Sequence, residues 1–324
     1  MNGRNILLLC GGTSSEYEVS LKSSEYIEDS LAEYDDLNVI KIIIGKDNIW
    51  RDKSGNEVEL TKDKKIGNNE IHFAIPCIHG HPGETGDIQI LFEMIGLPYM
   101  GSGPEASKNC FNKVTTKLWL SALRIPNTPY TFLSSMDEIN IAMEALHSWK
   151  TVFVKASSQG SLVGSYWTRN EKELEENLQK AFQYSPWVLV EKTMEGREVE
   201  VSTYDINGTL HVTKPGEIVC PSKFYTYEEK YNSQSETKTH TVAPDIPLDK
   251  INEMKKYAMM AWRGMKIRHL SRIDFFYTDE GDVYLNEINT FPGMTPISMF
   301  PKMMINNGHS FPEFLYQVIM KESF

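Results

Sequence analysis

The chain has 324 residues, 40% hydrophobic and 24% charged, with 33 Lys and Arg against 44 Asp and Glu, a formal charge of −11. That composition is that of a soluble globular protein large enough for two or three domains. So acidic a surface repels phosphate backbones and anionic lipids, which argues against nucleic acid or a membrane as the main partner and requires any anionic ligand to be held by local cations inside a cleft.

The first apolar run, residues 6–10, is too short for a signal-peptide core and ends in Gly11-Gly12. No stretch approaches the ~20 apolar residues of a membrane span, so a cytoplasmic protein is expected. Cys10, Cys77, Cys110 and Cys220 are far apart without a Cys-x-x-Cys pair, and buried, reduced thiols are expected. In chain order, 6–10 predicts a strand. Ser15-x-x-Glu18 has the capping-box pattern for a helix running to about Leu31. Apolar strands are predicted at 39–44 and 71–78, an alternation that implies a parallel sheet with ligands at the strands' carboxyl ends. The glycine-bearing loops 11–18 and 79–87 lie there. A helix is predicted over 106–123, then a boundary at Pro126 and Pro129. Beyond about residue 131 the pattern is α+β: a strand at 151–155, a small-residue loop at 157–164, a helix at 171–182 and a strand at 187–191. An antiparallel pair, 198–204 and 209–212, turns at Asn207-Gly208. Residues 220–247 are polar and aperiodic and predict a long loop of the kind that serves as a lid.

Residues 272–289 predict a β-hairpin turning at 279–282. If its loop has an even number of residues centred on Glu280-Gly281, Asp274 stands opposite Glu287 and Arg272 opposite Asn289. Period-2 geometry then puts all four on one face and Ile273, Phe275, Tyr284 and Ile288 on the other. Two facing carboxylates repel unless a cation sits between them, and oxygen ligands of this kind suit Mg²⁺, whose shell is completed by water and nucleotide phosphates; solvated charges on a surface hairpin are the alternative. Next comes a loop, 290–298, whose Gly293 can bring a backbone N–H close to a ligand; with Arg272 it would stabilise an oxyanion. Lys155, at a strand end before a small-residue loop, suits phosphate, although an ordinary loop fits that pattern as well. Glu191, Met194 and Glu198 lie at a strand end suited to reading adenine and ribose. Glu16, at a helix start, either complements the helix dipole or recognises a substrate ammonium.

Taken together and in this order, these segments resemble the D-alanine–D-alanine ligases of the ATP-grasp superfamily. The resemblance is carried by 11–21, His79-Gly-His-Pro-Gly-Glu84, 99–103 with Asn112-Lys113, 155–164, 191–198, 224–231 and 272–298. It implies an α/β chain with an N-terminal Rossmann-like substrate domain (1–103), a central ATP-grasp subdomain (104–191) and a C-terminal ATP-grasp domain (192–324) carrying the metal site and the lid 220–247. It implies that Glu16 holds the first D-alanine's ammonium, linked to Ser161 and Tyr231. Lys113, Lys155 and Lys230 match the phosphate lysines, and Glu191, Met194 and Glu198 the adenine and ribose contacts. Asp274, Glu287 and Asn289 match the ligands of two Mg²⁺ ions, with Mn²⁺ as a substitute, and Arg272 and Gly293 the oxyanion groups. His79 matches a histidine near the substrates, and Ser298 and Met299 the second carboxylate's site. Gln159 stands where the family usually has an acid, Leu162 where it often has serine and Ala156 where proline is common, while Thr85-Gly86-Asp87 reorders the usual Asp-Gly-Thr.

The resemblance implies an ATP-dependent enzyme that phosphorylates one D-alanine and joins it to the amine of a second, for peptidoglycan precursors, as a homodimer. A D-alanine–D-lactate or other dipeptide ligase is the nearest rival, and a non-catalytic ATP-binding module the rival from another class. The tyrosine- and lysine-bearing pattern at 224–231 favours D-alanine over D-lactate, with His240 in the same predicted loop as the complication.

Overall fold

A computed structural model describes residues 3–219 and 238–322. The chain runs β1 (Arg4–Gly11), α1 (Tyr17–Leu31), β2 (Leu37–Ile44), β3 (Trp50–Arg51), the small pair β4 (Lys65–Ile66) and β5 (Asn69–Glu70), then β6 (Phe73–Cys77) and α2 (Asp87–Ile95). The strand order is β3-β2-β1-β6, with β1 parallel to both β2 and β6. The run Ile-Leu-Leu-Leu explains its own burial: Ile6 and Leu8 enter one apolar cluster, Leu7 and Leu9 another, so both faces of the strand are covered. α1 starts one residue later than the capping-box pattern predicts. Glu16 takes the N-cap position with no side-chain cap bond, and its N–H donates instead to Ser14 Oγ at 3.2 Å.

The single helix expected over 106–123 is two, α3 (Pro104–Phe111) and α4 (Lys113–Ala122). Asn112 is extended (φ −83°, ψ 107°), and its side chain accepts from the Thr115 N–H at 3.0 Å. A good N-cap residue inside a helical pattern restarts the helix there. The central sheet has the order β7-β10-β8-β9, built from β7 (Tyr130–Leu133), β8 (Val152–Ala156), β9 (Ser165–Thr168) and β10 (Val188–Lys192). It packs against α5 (Ile139–Trp149) and α6 (Glu171–Phe182), with Leu133, Leu146, Val154, Leu178 and Val190 in a cluster confined to this part of the chain.

The third sheet has the order β14-β13-β11-β15-β16, with β12 also paired to β11; its strands are β11 (Arg197–Ile206), β12 (Thr209–Val212), β13 (Gly216–Val219), β14 (Lys238–His240), β15 (Leu270–Tyr277) and β16 (Val283–Asn289). His240 is therefore a strand residue paired with Glu217, not a loop residue, and Ala243 and Ile246 are buried, so 238–247 does not form part of an open loop; residues 220–237 of the expected lid lie outside the described residues. Helix α7 (Leu248–Gly264) covers this sheet, and Met254, Ala258, Val201, Ile273 and Phe275 share a core with Leu120 of α4. α8 (Met299–Asn306) and α9 (Phe311–Glu322) close the chain. α9 returns to the first sheet: Phe311 stacks on Tyr26 with centroids 5.1 Å apart, and Tyr316 stacks on Tyr34 at 4.2 Å.

The β15–β16 hairpin reaches the expected pairing by another route. Tyr277 pairs with Val283 and Phe275 with Leu285, which requires an odd loop, and a bulge between Phe275 and Asp274 then restores Asp274 opposite Glu287 and Arg272 opposite Asn289. The extra residue also moves Tyr284 off the core face. It stays half-buried while Leu285 is fully buried in its place.

Candidate active site

The ends of these elements meet. At the carboxyl end of β1, Gly11 adopts φ +87°, and a Cβ there would stand 2.3 Å from Ile44 O, so only glycine fits this turn. Behind it Ser20 accepts from the Gly11 N–H (2.7 Å) and donates to Cys77 O (2.5 Å), tying the two β1-flanking loops together. Ser14 donates to His79 O at 2.6 Å. The His79 ring is buried, with Nε2 3.2 Å from Ser23 Oγ, and that hydroxyl accepts from the Met294 N–H at 3.2 Å. One serine thus joins the N-terminal histidine to the loop that follows β16.

The loop after β8 also reaches Glu16. A Cβ on Gly160 would lie 3.1 Å from Glu16 Oε2, so a glycine here lets backbone approach the carboxylate. Ser161 and Leu162 follow with φ of 50° and 62°, the left-handed region unfavourable to non-glycine residues. Lys113, aimed by the Asn112 break, donates to Gln159 O (2.7 Å) and lies 3.7 Å from Glu287.

Glu191, at the end of β10, is 2% exposed. Its oxygens contact two ammonium groups, Lys117 at 2.8 Å and Lys155 at 2.5 Å. Burial alone would raise its pKa; the two lysines more than reverse that and hold it at about 2. Half-buried Met194 and exposed Glu198 stand nearby in sequence. Desolvation raises the Glu198 pKa, and the negative charges of Asp274 and Glu287 raise it further against the opposing pull of Lys155.

Arg272 forms a two-pronged bond to Asp274, Nε to Oδ1 at 2.8 Å and Nη2 to Oδ2 at 2.7 Å, with Glu200 at 3.2 Å from Nε. The expected repulsion between Asp274 and Glu287 is thus offset by protein cations, Arg272 on one carboxylate and Lys113 near the other. Asn289 Oδ1 accepts from the Phe291 N–H at 3.0 Å, which shapes the loop carrying Gly293. A Cβ on Gly293 would come within 3.0 Å of Ser298 Oγ, which contacts Thr295 Oγ1 at 2.7 Å. Ser298 is the N-cap of α8. The Met299 side chain is buried and packs against Gly216, so only its backbone, at a helix start with unsatisfied N–H groups, suits a carboxylate. Lys230 and Tyr231 lie outside the described residues.

Two residues were not singled out from the sequence. Glu200 faces Asp274 across β11–β15; the alternation Glu198-Val-Glu200-Val in one strand was its signal. Lys117 sits three residues from buried Val114 and Leu120, a charge within an apolar stripe. The donor set around the hairpin consists of hard oxygens whose mutual repulsion shows in Glu198, and it fits Mg²⁺. Among the described residues no group of three His, Cys, Asp or Glu side chains is already gathered as a metal cage. Mg²⁺, which keeps waters and takes substrate phosphates, needs no such cage.

A parallel-sheet domain set against two antiparallel sheets, with lysines, carboxylates and a half-buried arginine between them, defines an ATP-grasp enzyme of the ligase class. Residues 5–102 match the model for the D-ala D-ala ligase N-terminus and residues 119–320 that for the D-ala D-ala ligase C-terminus, and the chain belongs to this family. It is 52% identical to the D-alanine--D-alanine ligase of Shewanella piezotolerans, over 97% of this chain and 98% of that protein. The structure superposes on D-alanyl-alanine synthetase A from Vibrio cholerae with a TM-score of 0.94 and 47% identity, covering 100% of this chain and 99% of that one. It also superposes on the VanG D-Ala:D-Ser ligase from Enterococcus faecalis at 0.87 and 26% identity, covering 98% and 99%. Among the described residues no helix is long and apolar enough to cross a membrane.

Proposed function

We propose that this enzyme is an ATP-dependent, ADP-forming D-alanine–D-alanine ligase that supplies the dipeptide for peptidoglycan precursors. The observation that carries the reading is the position of Glu287, opposite Asp274 and 3.7 Å from Lys113: a cation suited to phosphate meets oxygens suited to Mg²⁺ in one place. Asp274, Glu287 and Asn289 would hold two Mg²⁺ ions, or Mn²⁺. When bound, the metal neutralises phosphate charge that otherwise repels an attacking carboxylate.

The chain's own groups account for the rest. A carboxylate is a poor electrophile, because its leaving group would be oxide; taking the γ-phosphoryl group makes it an acyl phosphate with phosphate as leaving group. Glu16 binds the first D-alanine's ammonium beside Ser161. Lys113, Lys155 and Lys230 hold the triphosphate, and Glu191, Met194 and Glu198 the adenosine. Ser298, with the Met299 N–H, receives the second carboxylate, and His79 lines the substrate site. The second amine then attacks, and Arg272 with the Gly293 N–H stabilises the oxyanion, donors typically worth ~3 kcal/mol each. The part of the expected lid that carries Tyr231 would keep water from the acyl phosphate. A non-catalytic ATP-binding module has no use for Arg272 and Gly293 beside the metal oxygens. A cytoplasmic homodimer acting on small molecules completes the proposal.

The test is phosphate release from ATP with D-alanine against L-alanine, with the product identified by mass. Strong release with D-alanine alone and a D-alanyl-D-alanine product are expected. Equal release with both enantiomers, or dominant D-alanyl-D-lactate from an equal mixture of D-alanine and D-lactate at both pH 6 and pH 8, would overturn it.

A further inference from the structure

Lys113 and Lys155 both reach toward the cleft, but Lys117, one turn along α4, does not. Its side chain is 2% exposed, against 14% for Lys155. An ammonium this deep is costly unless it is paired. The pairing is unusual in its stoichiometry, since Lys117 and Lys155 each take one oxygen of the same carboxylate, Glu191, at 2.8 and 2.5 Å. One lysine would suffice to neutralise Glu191. With two, the buried group carries a formal charge of +1, and the lysine with access to the cleft is Lys155.

We propose that Lys117 is a positioning residue of the nucleotide site, neutralising Glu191 from behind so that the charge of Lys155 stays available to the triphosphate. Without Lys117, Lys155 and Glu191 close into a neutral pair, and the ammonium is held by the carboxylate instead of the ligand. Burial pulls the Lys117 pKa down on balance, and the Glu191 carboxylate at 2.8 Å opposes that. On the other oxygen, Glu191 outweighs burial and raises the Lys155 pKa, helped by Glu287 and Glu198. The inference rests on reading Lys155 as a phosphate contact, and it adds a residue that touches no ligand.

The test compares a charged with an uncharged ligand in the full chain. ADP and adenosine binding are measured by calorimetry for wild type, Lys117→Met and Lys117→Arg, with ATP and D-alanine kinetics alongside. Lys117→Met should weaken ADP by about 10- to 100-fold, the scale of one lost charge a few ångströms from a polyanion at partly screened dielectric. Adenosine affinity should change far less than ADP affinity, because the nucleoside is neutral and its contact Glu191 keeps Lys155 as a partner. The KM for ATP should rise while that for D-alanine holds, and Lys117→Arg should recover most of the ADP affinity. Should Lys117→Met fail to fold, Lys117→Gln carries the same comparison. Equal weakening of ADP and adenosine would show a distorted site and overturn the proposal, as would unchanged ADP affinity. Wild-type protein that binds no ADP would overturn the nucleotide assignment of Lys155, and this inference with it.

Discussion

Glu191 has an ammonium group on each oxygen, and that arrangement has a consequence for acid stability. Its folded-state pKa is about 2 against an ordinary 4.5. A carboxylate whose pKa is depressed by folding contributes stability that is fully present above the unfolded value and is lost as the pH falls through the folded one, here between about 4.5 and 2. The contribution is on the order of 3 kcal/mol. Glu191→Gln should therefore be less stable than wild type near pH 6, by about 3–5 kcal/mol for a broken buried pair. Its stability should decline less steeply than that of wild type between pH 5 and 3. Urea unfolding across that range checks both, and parallel declines for the two proteins would contradict the assignment. Arg272 shows how different a neighbouring pair is. Its guanidinium, gripping Asp274 and Glu200, keeps its charge throughout, so the hairpin end is fixed by geometry and not by titration.

The break between α3 and α4 is the element that positions Lys113, the proposed phosphate lysine. Asn112 caps α4 through Thr115 and donates to Ser158 Oγ at 3.1 Å, while the Lys113 N–H donates to Ser157 O at 2.7 Å. The cap thus docks the lysine-bearing helix on the loop after β8. Asn112→Ala should cost about 1–2 kcal/mol, the usual loss for an N-cap, and should raise the KM for ATP. Asn112→Asp keeps an acceptor for the cap and should recover most of the stability; urea midpoints and ATP kinetics on both variants decide this. The helix break also shows what the sequence withholds. The apolar periodicity of 106–123 continues through Asn112, and nothing in it separates a capped restart from one helix. The β15–β16 pairing is the opposite case. Alternation alone placed Asp274 opposite Glu287, but through an even loop; the actual odd loop and bulge cancel, so the facing pair was legible and Tyr284's side was not. Glu16, Lys155 and the hairpin residues stood out as charges at element ends, whereas Lys113, inside the single helix expected over 106–123, was marked only by the family resemblance. Lys117 and Glu200 did not stand out, because their partners lie more than 70 residues away in sequence and only packing brings them together.

At the scale of the molecule, the cores divide unevenly. Ile6, Leu8, Phe73 and Ile75 share one cluster with Phe300, Phe311, Phe314 and Ile319, so the first sheet is covered on one face by the chain's last helices. The central cluster, from Leu133 to Val190, draws on no residue outside that stretch. Cooperative units follow buried contacts, so the first sheet and α9 should open together and the central module by itself. Hydrogen exchange on the full chain tests this. Phe314→Ala, a buried ring removed for about 3–5 kcal/mol, should speed exchange across β1, β6 and α9 alike. Leu178→Ala, costing about 2–5 kcal/mol, should speed exchange in β8, β10 and α6 and leave β1 unchanged. On the proposed nucleotide assignment, the ligand would have a mechanical role. Lys155 and Glu191 belong to the central module, whereas Lys117 and Glu287 belong to elements packed with the C-terminal sheet. A triphosphate held by both sides, as proposed, would link this module to the rest, so ADP should slow exchange in β8 and β10 more than in β1. Protection that rises equally in all three strands would mean the central module is not independent, despite its separate core.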